Sequence, residues 1–178
     1  MDAETYLDWA MRQPEGQRYE LVDGEVVAQA SERARHARAK FAAARALEDA
    51  IRAAGKPCEV FPDGMAVRID ATTVYEPDAS LRCGAPLDGD AVVFDDPVVI
   101  VEVLSPSTRG DDLGRKLVDY FRLESLGHYL MVDPERRTVV HHARGADGEV
   151  RMRVIREGGL RLDPPGIEID TVAMFAGA

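Results

Sequence analysis

The chain has 178 residues, 46% of them hydrophobic and 30% charged, with a formal net charge of −10 from 22 basic and 32 acidic side chains. That size suits a single domain with a sizeable core, read as residues 1–178, and the acidic balance excludes a general nucleic-acid coat. No apolar run approaches the ~20 residues of a membrane span and no basic-then-apolar leader opens the chain, so a cytoplasmic location is expected.

A short helix is expected over residues 4–12. Arg18 to Val22, then Asp23-Gly24, then Glu25 to Ala28 reads as a hairpin, because Asp-Gly supplies the positive φ angles of a two-residue turn. Ser31 can cap a long helix rich in Ala and Arg that runs to about Ala54, with Gly55 as its stop. Short strands follow around Glu59–Phe61, Met65–Ile69 and Asp78–Arg82, then a buried strand over residues 98–104. Ser105-Pro106-Ser107-Thr108 breaks that strand and leads into a helix from about Asp111 to Ser125, ended by Gly127. His128–Val132 reads as another apolar strand, residues 137–143 and 150–156 as a hairpin pair, and 170–176 as a short terminal helix. Strands grouped around two main helices predict a mixed α/β sheet. Cys58 and Cys83 are too few for a disulfide framework, lack CxxC spacing, and read as two ordinary small residues.

Charge is distributed unevenly. Residues 1–30 carry 2 basic and 7 acidic side chains, and residues 57–102 carry 2 and 10. The stretch 31–56 reverses the balance, with 7 basic and 3 acidic.

The strand Val98-Val99-Ile100-Val101-Glu102-Val103-Leu104 holds one carboxylate among aliphatic neighbours. An unpaired buried carboxylate costs several kcal/mol, so such a group is normally neutralised, paired or bound to a metal. Alternation along the strand puts Val98, Ile100, Glu102 and Leu104 on one face. If Asp78 shares that face from a neighbouring strand, two hard oxygen ligands meet, which is the chemistry Mg²⁺ prefers. On the helix that follows, Leu113, Leu117, Tyr120, Phe121 and Leu123 form the apolar arc, and Lys116 lies within it or at its edge. An ammonium there can offset charge that builds at a phosphate in the transition state, or its stem can pack while its amine reaches water.

These residues carry a family resemblance. Tyr19-Glu20-Leu21-Val22-Asp23-Gly24-Glu25, Pro77-Asp78, Val101 through Thr108, Asp112 through Lys116 to Tyr120, and Tyr129-Leu130-Met131-Val132-Asp133-Pro134 together resemble the Uma family of proposed restriction endonucleases, within the PD-(D/E)XK nuclease superfamily. The resemblance implies a restriction-endonuclease-like mixed central sheet flanked by helices, and Mg²⁺-dependent hydrolysis of DNA, with Mn²⁺ a possible substitute. It implies Asp78 and Glu102 as metal ligands, the Val103 carbonyl as a third, and Glu20 as an acidic group near the metal. The superfamily lysine is expected two residues after the glutamate, where this chain has Leu104; its place falls to Lys116. A homodimer is also expected, since many nucleases of this kind cut two strands with paired sites.

Arg35, His36 and Arg38, with Arg45, could contact nucleic-acid phosphates or form a solvated helix face. His141 and His142 are adjacent on a predicted strand, point to opposite faces and do not form a joint metal pair. Asp111 and Asp112 favour a helix N-terminus. Two rival readings stand beside the endonuclease. One is a nuclease-like fold that no longer cleaves and serves as a binding or regulatory module. The other is a metal-dependent hydrolase of small phosphate esters.

Overall fold

The strand β8 (Val99–Val103) is buried along its whole length and organises the molecule. The computed structural model describes residues 1–104 and 111–176. β8 pairs antiparallel with β6 (Ala79–Cys83) and parallel with β9 (His128–Asp133), a mixed arrangement. β10 (Thr138–Arg144) and β11 (Val150–Ile155) continue the sheet beyond β9, and β3 (Cys58–Pro62) closes the other side. The order is β11-β10-β9-β8-β6-β3. A strand covered on both faces needs apolar residues at every position, and β8 has them except at Glu102.

Val99, Val101 and Val103 face a core built with α2 (Ala34–Ala54) through Ala39, Ala43, Leu47 and Ile51. Ile100 faces the opposite side, where Tyr75, Tyr120 and Tyr129 pack beneath α3 (Asp111–Tyr120). A second sheet, ordered β2-β1-β5-β4-β7, carries β1 (Tyr19–Val22), β2 (Glu25–Ala28), β4 (Ala66–Arg68), β5 (Val74–Tyr75) and β7 (Val93–Phe94). The first helix, α1 (Ala3–Ala10), packs on that sheet through Ala3 and Tyr6. The mixed α/β reading holds, with helices on both faces of the central sheet. Among the described residues no helix is long and apolar enough to cross a membrane.

The β1–β2 hairpin forms as its Asp-Gly pair predicts, with Asp23 at φ 49° and Gly24 at φ 82°. Gly55 ends α2 in the left-handed conformation at φ 60°. The start of α2 differs from expectation: the helix begins at Ala34 with an extended Arg33 at its cap and no side-chain cap bond, so Ser31 does not cap it. Glu32, just before the helix start, pairs with Lys40 and Arg18. α3 stops at Tyr120, five residues before the expected end. The Arg144 guanidinium there donates hydrogen bonds to the carbonyls of Phe121, Leu123 and Leu126, in the segment just past the helix end.

Two pairings were not expected. β12 (Gly159–Leu162) and β13 (Ile167–Asp170) form a hairpin whose Leu160, Leu162, Ile167 and Ile169 join the α2 core. The short terminal helix expected over residues 170–176 forms as a 3₁₀ helix, Thr171–Phe175. Cys58 and Cys83 face each other across β3 and β6 and form a disulfide, which overturns their reading as two ordinary small residues. Disulfides persist mainly in oxidising surroundings, so this bond gives no support to the cytoplasmic expectation. Ser105–Thr108 and the side chains of Asp111 and Asp112 lie outside the described residues.

His141 and His142 point to opposite faces of β10, as alternation requires. His142 stacks on Tyr129 at 5.9 Å, while His141 meets His128, with 2.9 Å between His128 Nδ1 and His141 Nε2. One ring must donate and the other accept, so this contact needs at least one neutral imidazole. Burial lowers the pKa of all three, and with His128 adjacent it brings His141 down to about 4. The unfolded chain then binds more protons than the folded one between the ordinary histidine pKa and that value. Stability is therefore full above about pH 6.5 and is lost as pH falls through this window, by on the order of 1–3 kcal/mol for His141. Urea midpoints at pH 7 and pH 5 test this: the difference should shrink in His141→Gln. An unchanged difference in that variant would assign the acid sensitivity to other groups.

Candidate active site

The register between β6 and β8 creates the site. Ala79 lies opposite Val101, so the same register extended by one residue sets Asp78 opposite Glu102. Asp78 is then fixed by its own backbone neighbourhood, because its Oδ2 accepts a 2.6 Å hydrogen bond from the Val103 amide. Glu102 projects to the α3 side of the sheet. There its Oε1 accepts from Tyr120 Oη at 2.9 Å and from Lys116 Nζ at 3.2 Å. Lys116 and Tyr120 are one helical turn apart on α3, which lets both reach one carboxylate.

Glu20 arrives from β1. Its Oε1 accepts from Lys116 at 2.8 Å and from the Glu76 amide at 3.0 Å, so it belongs to the interior and not to a solvated hairpin. Glu20, Asp78, Glu102 and Lys116 are 6, 7, 7 and 6% exposed. Lys116 thus points inward to bridge two acids, and its amine lies 5.1 Å from the Tyr75 ring centroid.

The other face of the site comes from α2. His36 Nε2 lies 2.7 Å from the Val103 carbonyl, the oxygen that the resemblance implies as a metal ligand. Four residues on, Lys40 reaches Asp78 Oδ1 at 2.6 Å and Asp63 at 3.3 Å, and it also pairs with Glu32. Arg18 joins Asp63 at 2.6 Å and Glu76 at 3.0 Å. A cleft of about 670 Å³ opens over these groups and is lined by Glu20, Asp78, Glu102, Lys116, His36 and Lys40, among others. Arg35 lines it and pairs with Glu135 at 2.8 Å. Arg38 is exposed and does not line it.

The electrostatics follow from burial. Burial is the largest influence on Glu102 and pushes its pKa up to about 8; Lys116 opposes this, while Asp78 and Glu20 add to it. Burial would lower the Lys40 pKa, but Asp78, Glu32 and Asp63 outweigh it and hold the amine above its ordinary value. Tyr120 is raised well above its ordinary value by burial first and by Glu102 next, so its hydroxyl keeps the proton it donates. A divalent metal fits this donor set. Glu102 is a hard oxygen donor whose charge is disfavoured by burial and by two acidic neighbours, which is the situation a cation relieves.

Lys40 and Tyr120 had not been singled out from the sequence as site residues. A signal existed for both: Tyr120 lies four residues from Lys116, and Lys40 four residues from His36, so each pair shares a helix face. Glu32 and Asp63 carried no such signal, because their approach depends on long-range packing.

The fold resembles that of a solved protein from Anabaena variabilis ATCC 29413, described as a "putative nuclease belonging to DUF820". The TM-score is 0.75 over 96% of this chain and 97% of that one, at 14% identity. Two proteins of Synechocystis sp. (strain ATCC 27184 / PCC 6803 / Kazusa) are similar in sequence. "Uncharacterized protein slr1290" is 29% identical over 84% of this chain and 77% of its own length. "Uncharacterized protein sll1609" is 26% identical over 80% and 82%. The Uma2 family model, described as "Putative restriction endonuclease", matches residues 3–173, and this chain belongs to that family.

Proposed function

We propose that the chain is a metal-dependent endonuclease that hydrolyses phosphodiester bonds of DNA, with Mg²⁺ as its metal and Mn²⁺ as a substitute. One observation carries this reading: Asp78 and Glu102 are buried side by side across β6 and β8, at the floor of a cleft, with Lys116 held inward beside them. A purely structural core has little use for carboxylates on both strands of one buried pair. Family membership supports nuclease chemistry in general.

In this reading Asp78 and Glu102 hold the metal, with the Val103 carbonyl a candidate third ligand and Glu20 close by. A bound divalent ion supplies a more acidic water and polarises a phosphoryl oxygen. The protein supplies the rest. Tyr120 and Lys116 orient Glu102 through one of its oxygens, and the Val103 amide orients Asp78. Lys116, held between Glu20 and Glu102, is positioned to offset negative charge at a phosphate that enters the cleft. Arg35 and His36, at the cleft wall, are placed to meet a phosphate backbone, whose neutralisation drives non-specific affinity.

Supercoiled plasmid incubated with Mg²⁺ or Mn²⁺ tests the activity. Nicking or linearisation that stops with EDTA is expected. DNA binding without cleavage would favour a non-cleaving module, and hydrolysis of a generic phosphodiester without DNA cleavage would favour a small-ester hydrolase. Glu102→Gln keeps the shape of the side chain and should lower cleavage by roughly 10²-fold or more while weakening Mn²⁺ binding. Undiminished cleavage by that variant would remove Glu102 from the mechanism.

Lys116→Met keeps the packed stem and removes only the charge. A rate loss of roughly 10²-fold is expected, with metal affinity little changed, as for deletion of one electrostatic stabiliser. Full activity in Lys116→Met would show that the lysine serves packing alone.

A homodimer belongs to the same proposal, because paired clefts related by a two-fold axis suit cleavage of both strands. Light scattering should give twice the chain mass at micromolar concentration. A monomer with and without DNA would remove the dimer.

A further inference from the structure

We infer that Lys40 acts as a built-in cation that fills the position between Glu32, Asp63 and Asp78, positions Asp78, and confines the site to a single divalent metal. This rests on the nuclease reading above and adds to it the metal count and the residue that sets it. Among the described residues, Glu32, Asp63 and Asp78 are the three acids whose ligand oxygens lie within 4.8 Å of one another. That spacing would suit a cation, and the space among them holds the Lys40 ammonium, which pairs with all three.

Lys40 is 5% exposed, so this is no swinging surface lysine. Its place is built from several directions. The helix α2 carries it, the β3–β6 ladder brings Asp63 and Asp78 together, and Arg18 holds Asp63 from the other side at 2.6 Å. The 2.6 Å contact to Asp78 Oδ1 is the feature that excludes a second ion. Mg²⁺ binds carboxylate oxygen at about 2.0–2.1 Å, so an ion on the same side of Oδ1 would overlap the ammonium. Two-metal nucleases need ions about 3.5–4 Å apart, commonly with acidic ligands around both. Here one of those two places is taken by nitrogen. Each Asp78 oxygen keeps a second lone pair, so one metal shared with Glu102 remains compatible with the Lys40 and Val103 contacts.

Lys40 is therefore a positioning residue. It holds one carboxylate oxygen while the Val103 amide holds the other, leaving Asp78 little freedom to turn away before the metal arrives. Its replacement should change how many ions bind, a readout that a merely structural role would not raise.

Equilibrium dialysis of the full chain against Mn²⁺, without DNA, gives the stoichiometry. One ion per chain is expected for the natural sequence and two for Lys40→Met; Lys40→Arg should return the count to one. Mn²⁺ should also raise the melting temperature of Lys40→Met by more than that of the natural chain. Two ions in the natural chain, or a folded Lys40→Met that binds no more ions than the natural chain, would overturn the inference. If Lys40→Met does not fold, Asp63→Asn decides. Retention of one ion, weakened by no more than about tenfold as for an outer-shell change, is expected. Loss of that ion would show that metal displaces Lys40 and sits among the three acids. A natural chain that neither binds Mn²⁺ nor cuts DNA would remove the nuclease reading, while a gain of one ion in Lys40→Met would still show that Lys40 fills a cation position.

Discussion

Two carboxylates buried next to each other in the central sheet create a deficit that the surrounding structure is arranged to meet. Asp78 and Glu102 lie on paired strands, and removing either from water without compensation would cost several kcal/mol. Compensation comes from opposite sides of the sheet. α2 sends Lys40 to Asp78, and α3 sends Lys116 to Glu102. The packing of both helices is thus tied to the charge balance of the strands they cover. Shifting either helix would leave a buried acid without its partner.

The two lysines are not equivalent. Lys116 is shared with Glu20 and accompanied by the Tyr120 hydroxyl, so Glu102 has both a cation and a neutral donor. Lys40 is surrounded by three acids, and its charge is divided among them. The first arrangement keeps an ammonium within reach of whatever occupies the cleft. The second ties an ammonium down. A single constraint, buried acid, is met in ways that suit different tasks.

Much of this was legible in the residues. The apolar run around Glu102 marked the central strand, because only a strand covered on both faces tolerates that composition. The position of Lys116 in an apolar helical arc marked it as inward-facing, and that is where it lies. Other features escaped for definite physical reasons. The β12–β13 hairpin alternates Leu160, Leu162, Ile167 and Ile169 inward, but each strand is only four residues long, too short for alternation to stand out. Cys58 and Cys83 are separated by 25 residues, and only the pairing of β3 with β6 shows that they meet. Glu32 and Asp63 are ordinary acids in sequence, and their role around Lys40 arises from the tertiary approach of a helix start to a turn. Arg38 belongs to a basic run read as either a nucleic-acid contact or a solvated helix face; it is exposed and lies outside the cleft lining.

The disulfide has a consequence for the alignment of chain segments. Cys58 pairs with Cys83 at one end of the β3–β6 ladder, and Pro62 pairs with Ala79 at the other. The residues just beyond that second end are Asp63 and Asp78. A slip of one residue between these strands would reverse the face of every side chain on the slipped strand and carry one acid away from the other. A covalent bond at the far end forbids that slip. The staple therefore works as a ruler: by fixing where two strands begin to match, it determines which acids stand together five residues away.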